Sequence, residues 1–131
     1  MQKTYLRCRE CKKEYDSTFK YICDECFGPL DVHYHFPSLT KNTFVNREQT
    51  YWRYFELLPI TDKSNIVSIN AGMTPLVKAE KLGKAIGLNN LYIKNDSVNP
   101  TFSFKDRPAG VAVSKAKEFG LGSVGCASTG N

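Results

Sequence analysis

No apolar run in this sequence approaches the roughly 20 residues that a membrane-spanning helix requires, so a chain that crosses a bilayer by helices is not expected. The charged residues near the start, from Lys3 through Arg7, Arg9, Lys12 and Lys13, are followed by no long apolar stretch, so a secretory leader is not expected. A cytoplasmic protein is the default these absences leave. The signature of disorder is missing too, because 41% of residues are hydrophobic and only 24% are charged. Histidine is scarce, and no histidine is identifiable as the partner of a nucleophilic thiol at Cys126. A strand cysteine packed as a small apolar group is the better reading of that residue.

What is present starts with a formal charge of +5, which invites a nucleic-acid reading. The basic residues are scattered through most of the chain, however, and four metal-bound thiolates with one divalent ion would lower the sum to about +3. A zinc-ribbon interaction or nucleic-acid-binding module is the alternative of a different class. With 131 residues, the chain can bury one modest core, or a small stapled module plus part of a larger one.

Cys8, Cys11, Cys23 and Cys26 form two CxxC pairs separated by eleven residues. A CxxC turn places two sulfurs on one side of a tight knuckle, and two knuckles complete a tetrahedral zinc shell with no open position for substrate. A reducing compartment favours metal over disulfides for these residues, and paired knuckles favour closed ligation over a redox role. Four free thiols packed as small hydrophobes is the plain alternative. His33 and His35 exceed what a four-cysteine shell needs and read as ordinary strand or surface histidines.

Residues 1–36 hold too few large apolar groups for a core of their own and need such a staple. Tyr5 to Arg7 and Phe19 to Ile22 each lead into a knuckle and are expected as strands, and Leu30 to Tyr34 follows as a third, with Leu30, Val32 and Tyr34 on one face. Residues 37–65 form a connector in which Arg47 to Leu58 reads as an amphipathic helix ended by Pro59. From residue 66 the pattern alternates. Apolar Ile66 to Ile69 leads past Gly72-Met73-Thr74-Pro75-Leu76 to a helix near Lys78 to Ile86, with Gly87 past its end. Leu91 to Asn95 is the next strand, and a helix follows with Ala109, Ala112, Ala116 and Phe119 inward. Ser123 to Ala127 is read as the last strand. Two such passages predict α/β architecture with parallel strands, in a segment of a longer protein.

Between the second strand and its helix lies Asn99-Pro100-Thr101-Phe102-Ser103-Phe104-Lys105-Asp106-Arg107. It places a lysine between aromatic residues at a helix entrance, where partial desolvation and the helix's positive end both disfavour the ammonium form. An amine so placed can attack an aldehyde, although a lysine at a helix start is more often merely exposed. Asp106 reads as a cap or loop organiser, and Arg107 as the partner of a structural salt bridge or an anion contact.

These nine residues resemble the cofactor-lysine motif of fold-type II pyridoxal-phosphate enzymes, and within them the threonine synthase group. Gly72 to Leu76 resembles the turn before the first helix of that catalytic region, and Ser128-Thr129-Gly130-Asn131 resembles its cofactor-facing loop. The Tyr51-Trp52-Arg53-Tyr54 segment and the four-cysteine ribbon are similar to the amino-terminal extension of the archaeal type. The resemblance covers nearly the whole chain. It implies a fold-type II enzyme beginning with a zinc ribbon (1–36), a helical connector (37–65) and an incomplete catalytic region (66–131). It further implies an imine between Lys105 and pyridoxal phosphate, Asn131 at the cofactor's ring hydroxyl, and Ser128, Thr129 and Gly130 at the substrate carboxylate. Cys8, Cys11, Cys23 and Cys26 would hold structural zinc.

The implied activity is that of a carbon–oxygen lyase of threonine biosynthesis, turning O-phosphohomoserine and water into L-threonine and phosphate. A related phosphoamino-acid replacement or elimination enzyme, similar to cysteate synthase, is the near alternative. A homodimer is a family-based expectation, and the 131-residue segment alone is expected to be inactive. The sequence departs from the commoner wording at Phe102, where glycine is often found, and at Asn70-Ala71-Gly72-Met73 before Thr74.

Overall fold

A computed structural model of the chain describes residues 4–36 and 38–127. Alternation along β1 (Thr4–Cys8) turns Thr4, Leu6 and Cys8 inward while Tyr5 and Arg7 face away. β1 is the middle strand of an antiparallel three-stranded sheet between β2 (Glu14–Asp16) and β3 (Leu30–Tyr34). Leu6 lies opposite both Tyr15 and Val32, and Cys8 lies opposite Leu30. The expected face of Leu30, Val32 and Tyr34 is therefore the face shared with Thr4, Leu6 and Cys8.

The expected strand at Phe19 to Ile22 is replaced by a turn that makes only an isolated bridge, Ile22 with Pro29. The first knuckle explains the change. Cys8 N–H donates to Lys13 O at 2.8 Å and reverses the chain at once, so Glu14–Asp16 reaches β1 first.

The connector departs further from its expected helix. It consists of α1 (Asn42–Val45) and a run of tight 3₁₀ turns at Tyr51–Leu57, broken at Tyr54. Arg47 holds Glu56 with two hydrogen bonds of 2.6 and 2.8 Å and reaches Arg53 O at 2.7 Å. In a straight helix those nine residues would span about 13 Å, out of reach for such a pair. Folding back lets the pair form.

β4 (Leu76–Lys78) and β5 (Tyr92–Lys94) are joined through α2 (Glu80–Ile86) and pair antiparallel, Val77 opposite Ile93. α2 ends on Gly87 in the left-handed region, at φ 75°, and Leu88 N–H returns to Gly83 O at 2.8 Å. The return is so tight that a Cβ on Gly83 would sit 2.4 Å from Leu88 O. The expected parallel pairing is absent among the described residues. Ile66 to Ile69 docks on a helix instead, Val67 N–H donating to Ser114 Oγ at 2.9 Å, and Ser123 to Ala127 forms no strand. Strand order exists only where a neighbouring backbone supplies hydrogen bonds.

α3 (Asp106–Glu118) is the longest element, and its buried positions are Asp106, Gly110, Ser114 and Ala116. The inward face is thus rotated from the expected one, with Ala109 and Ala112 exposed. Small residues explain the rotation. At Gly110 Ile69 and Trp52 stand at a distance that an added Cβ would just fill, and Ser114 gives its proton to Gly110 O at 2.7 Å while accepting from Val67. At the far end Glu118 accepts from Thr61 N–H at 2.8 Å, and Phe119 meets Phe19 edge-on at 5.7 Å. Among the described residues no helix is long and apolar enough to cross a membrane.

Candidate functional site

Two groups of chemically distinctive residues are held by this framework. The first lies at the start of α3. Phe102 takes φ 58°, the left-handed conformation that glycine enters without strain, and this is the position where the sequence departs from a glycine. After it, Ser103 is buried and its Oγ accepts from Lys105 N–H at 3.2 Å. Lys105 is half-buried and occupies the N-cap position of the helix, although its own side chain makes no capping bond. The buried Asp106 carboxylate reaches back to accept from Thr101 N–H at 2.8 Å and from Thr101 Oγ1 at 2.6 Å. Asp106 therefore organises the lysine loop. Phe102 and Phe104 are 80% and 55% exposed, so among the described residues they do not supply the expected desolvation.

The turn Gly72 to Leu76 is brought against this loop by residues the spacing did not single out. Asn99, buried, accepts from Gly72 N–H at 2.9 Å and donates to Asp96 O at 2.9 Å. Asp96 accepts from Arg107 Nε at 3.0 Å, Arg107 Nη2 at 2.7 Å and Thr74 Oγ1 at 2.6 Å. Arg107 also donates to Thr74 Oγ1 at 3.1 Å. The Arg107 guanidinium, with the Thr74 hydroxyl, holds the Asp96 carboxyl down to about 2. Gly72 must be glycine on two grounds. It sits at φ 89°, and a Cβ there would stand 3.0 Å from Arg107 Nη1 and 3.0 Å from Tyr51 Cβ. Arg107 thus acts in a structural ion pair, and sequence reasoning missed Asp96 because its partners lie 11 and 22 residues away with no periodic signal.

The expected substrate and cofactor contacts at Ser128, Thr129, Gly130 and Asn131 lie outside the described residues. Cys126, just before them, is exposed rather than packed in a strand, and its thiol donates to Ala127 O at 3.3 Å.

The second group is the cysteine set. The sulfurs of Cys8, Cys11, Cys23 and Cys26 all lie within 4.8 Å of one another. Contact runs across the knuckles, Cys8 with Cys26 at 3.4 Å and Cys11 with Cys23 at 3.5 Å. These are free thiols, well beyond the roughly 2.05 Å of a disulfide. A tetrahedron with metal–sulfur bonds of about 2.3 Å has edges near 3.8 Å, so the donor set has the right type, number and spacing for zinc. The first cysteine of each knuckle is buried and the second exposed.

Electrostatics agree with a site built for a cation. The Tyr15 hydroxyl, helped by backbone N–H groups of Cys26 and Glu25, holds the buried Cys23 thiol down to about 6. Cys11 receives a bond from Lys13 N–H that favours its thiolate, yet partial desolvation of the sulfur and the neighbouring thiols push it up to about 12. Each ionised sulfur makes the next harder to ionise, an opposition that a central cation removes. Gly28 closes over the cluster so tightly that a Cβ would lie 3.1 Å from Cys8 Sγ. His35 stacks on Tyr5 at 4.8 Å and His33 meets the same ring tilted at 5.4 Å, so both belong to the sheet surface.

Comparison with known proteins adds to this geometry. Residues 67–131 match the family model described as pyridoxal-phosphate dependent enzyme. The chain is 45% identical over 130 residues to a threonine synthase of Methanocaldococcus jannaschii, covering 95% of this chain and 32% of that protein. It is 42% identical over 130 residues to a threonine synthase of Methanosarcina acetivorans, covering 97% of this chain and 32% of the relative. A threonine synthase of Synechocystis is 46% identical over 84 residues, 63% of this chain and 21% of that protein. The chain thus spans about a third of the length of the archaeal relatives it matches. No solved structure matches it.

Proposed function

We propose that the chain is part of a pyridoxal-phosphate dependent enzyme, whose family model its residues 67–131 match, and that the intact protein is a threonine synthase, converting O-phosphohomoserine and water into L-threonine and phosphate. The observation that carries this reading is the union of two distant sequence signatures. Asn99 bonded to Gly72, and Asp96 bonded to both Thr74 and Arg107, set the Gly72 turn beside the loop that presents Lys105 at the start of α3.

Lys105 is the residue we assign to hold the cofactor. Its place at the first turn of α3, on a loop fixed by Asp106 and Ser103, presents the amine that would act as the nucleophile. When bound, pyridoxal phosphate supplies the electron sink for bond changes next to the amino carbon. With the cofactor and substrate bound, Lys105 Nζ would take up and return protons on the substrate's carbons. By the resemblance of their sequence, Ser128, Thr129 and Gly130 are assigned to the substrate carboxylate and Asn131 to the cofactor's ring hydroxyl. Asp106 and Ser103 hold the lysine loop in shape through Thr101 and the Lys105 amide.

Cys8, Cys11, Cys23 and Cys26 are assigned to one zinc ion. Four thiolates fill its shell, so its part is structural. The division into a ribbon (1–36), a connector (37–65) and a catalytic region (66–131) follows from these roles, and the cytoplasm is the compartment that suits reduced thiols.

The test uses the intact protein. Incubation with pyridoxal phosphate should give the absorption of a lysine-bound cofactor, and Lys105→Ala should abolish it. Phosphate should then be released from O-phosphohomoserine and not from O-phosphoserine. A native protein without cofactor absorption overturns the lysine assignment. Release only from O-phosphoserine would move the protein to the cysteate-synthase-like enzymes. Metal analysis beside a Cys8→Ser variant tests the zinc assignment separately.

A further inference from the structure

The second knuckle, Cys23-Asp24-Glu25-Cys26, carries two acids between its thiols, and both are engaged away from the sulfurs. Asp24 pairs with Lys20 at 2.6 Å, and Glu25 pairs with Lys13. The amines of these two lysines also stand over the ring of Tyr15, 5.1 Å from its centroid for Lys20 and 5.6 Å for Lys13. The ring is thereby held by the same cations that brace the knuckle.

The hydroxyl of Tyr15 lies 3.1 Å from Cys23 Sγ and 3.1 Å from the backbone nitrogen of Asp24. Direction follows from valence. The Asp24 N–H can only donate, so it takes the acceptor side of the phenol oxygen and leaves the phenol's single proton for the sulfur. Cys23 is fully buried, and no water competes for that bond. A second donor, Glu25 N–H, approaches the same sulfur at 3.4 Å.

We propose that Tyr15 is a positioning residue of the metal centre, whose hydroxyl donates to the Cys23 sulfur and fixes that ligand's orientation and charge, with Lys13 and Lys20 holding the ring in place. The proposal rests on the reading of the four cysteines as a metal site. It goes beyond that reading by assigning a residue that touches no metal. Partners of this kind commonly change metal affinity about ten- to hundredfold. Here the phenol also draws charge from one sulfur, which makes the site spectroscopically unequal.

Cobalt(II) is the probe, titrated into the full chain under reducing conditions, because its thiolate charge-transfer band reports electron density on sulfur. The native chain is expected to show a four-thiolate tetrahedral spectrum. Tyr15→Phe should weaken cobalt binding about tenfold and move the charge-transfer band to longer wavelength. Placing 3-fluorotyrosine at position 15, nearly the same shape but a stronger donor, should move it to shorter wavelength. Lys20→Met, which leaves the hydroxyl but removes one of the two cations over the ring, should move the band in the same direction as Tyr15→Phe and by less. An unmoved band in both position-15 proteins overturns the proposal, and the fluorinated protein decides alone if the phenylalanine variant does not fold. A native chain that gives no four-thiolate spectrum overturns the metal reading itself, and this inference with it.

Discussion

At Phe102 the backbone adopts φ 58° with an aromatic side chain that is 80% exposed, so the strain of a left-handed residue is offset by little packing. Phe102→Gly should therefore raise stability by about 0.5 kcal/mol, the relief of strain less the entropy glycine adds to the unfolded chain. A denaturant midpoint that falls instead would show that the ring packs against part of the protein beyond the described residues. Asp96 gives a prediction in pH. Its carboxyl is lowered from 3.8 to about 2 by Arg107 and Thr74, so its contribution is complete above about 3.8 and is lost as pH falls through about 2. Over that interval Asp96→Asn should show a shallower loss of stability than the parent. Equal slopes in the two proteins would remove the ion pair from any account of acid sensitivity. The sequence made Lys105 and Arg107 visible as members of one motif. It hid Asp96, whose role comes from a threonine and an arginine that only folding brings together.

At the scale of the element, two glycines inside helices carry opposite consequences for the same substitution. Gly110→Ala on α3 places a Cβ at ordinary contact, 3.8 Å from Ile69 Cγ1, and should stabilise by about 0.5–1 kcal/mol. Gly83→Ala on α2 drives a Cβ to 2.4 Å from Leu88 O and should cost about 1–3 kcal/mol. Thermal unfolding of both variants checks the pair, and equal signs would refute the geometry of one helix. The two helices were legible from apolar spacing and, for α2, from Gly87 beyond its end. Their buried faces were less so, because Gly110 and Ser114 enter by being small, which a search for apolar residues overlooks. The connector was misread for a different reason. Its Tyr51, Phe55 and Leu58 have helical spacing, but the Arg47–Glu56 pair folds the segment back and leaves 3₁₀ turns. β4 is three residues long, too short for alternation to reveal it.

For the molecule as a whole, residues 4–36 have little apolar packing of their own beside the four clustered sulfurs. Among the described residues of that part only Leu6, Cys8 and Cys23 are buried hydrophobics, while Phe19, Tyr21 and Phe27 are exposed. So small a core does not support a sheet without a staple. Removing metal with a strong chelator under reducing conditions should release amide-exchange protection in β1, β2 and β3 while α3 keeps its own. Unchanged protection in the sheet would show that the sulfurs pack without an ion. One contact gives this dependence a reach beyond the sheet. Phe119, just past the end of α3, rests on Phe19, and the opposite end of that helix begins at Lys105. The helix is then a strut some 20 Å long, and a tilt of about 10° at one tip would carry the other by roughly 3 Å. Geometry of that kind turns the soundness of a distant footing into the aim of a single nitrogen.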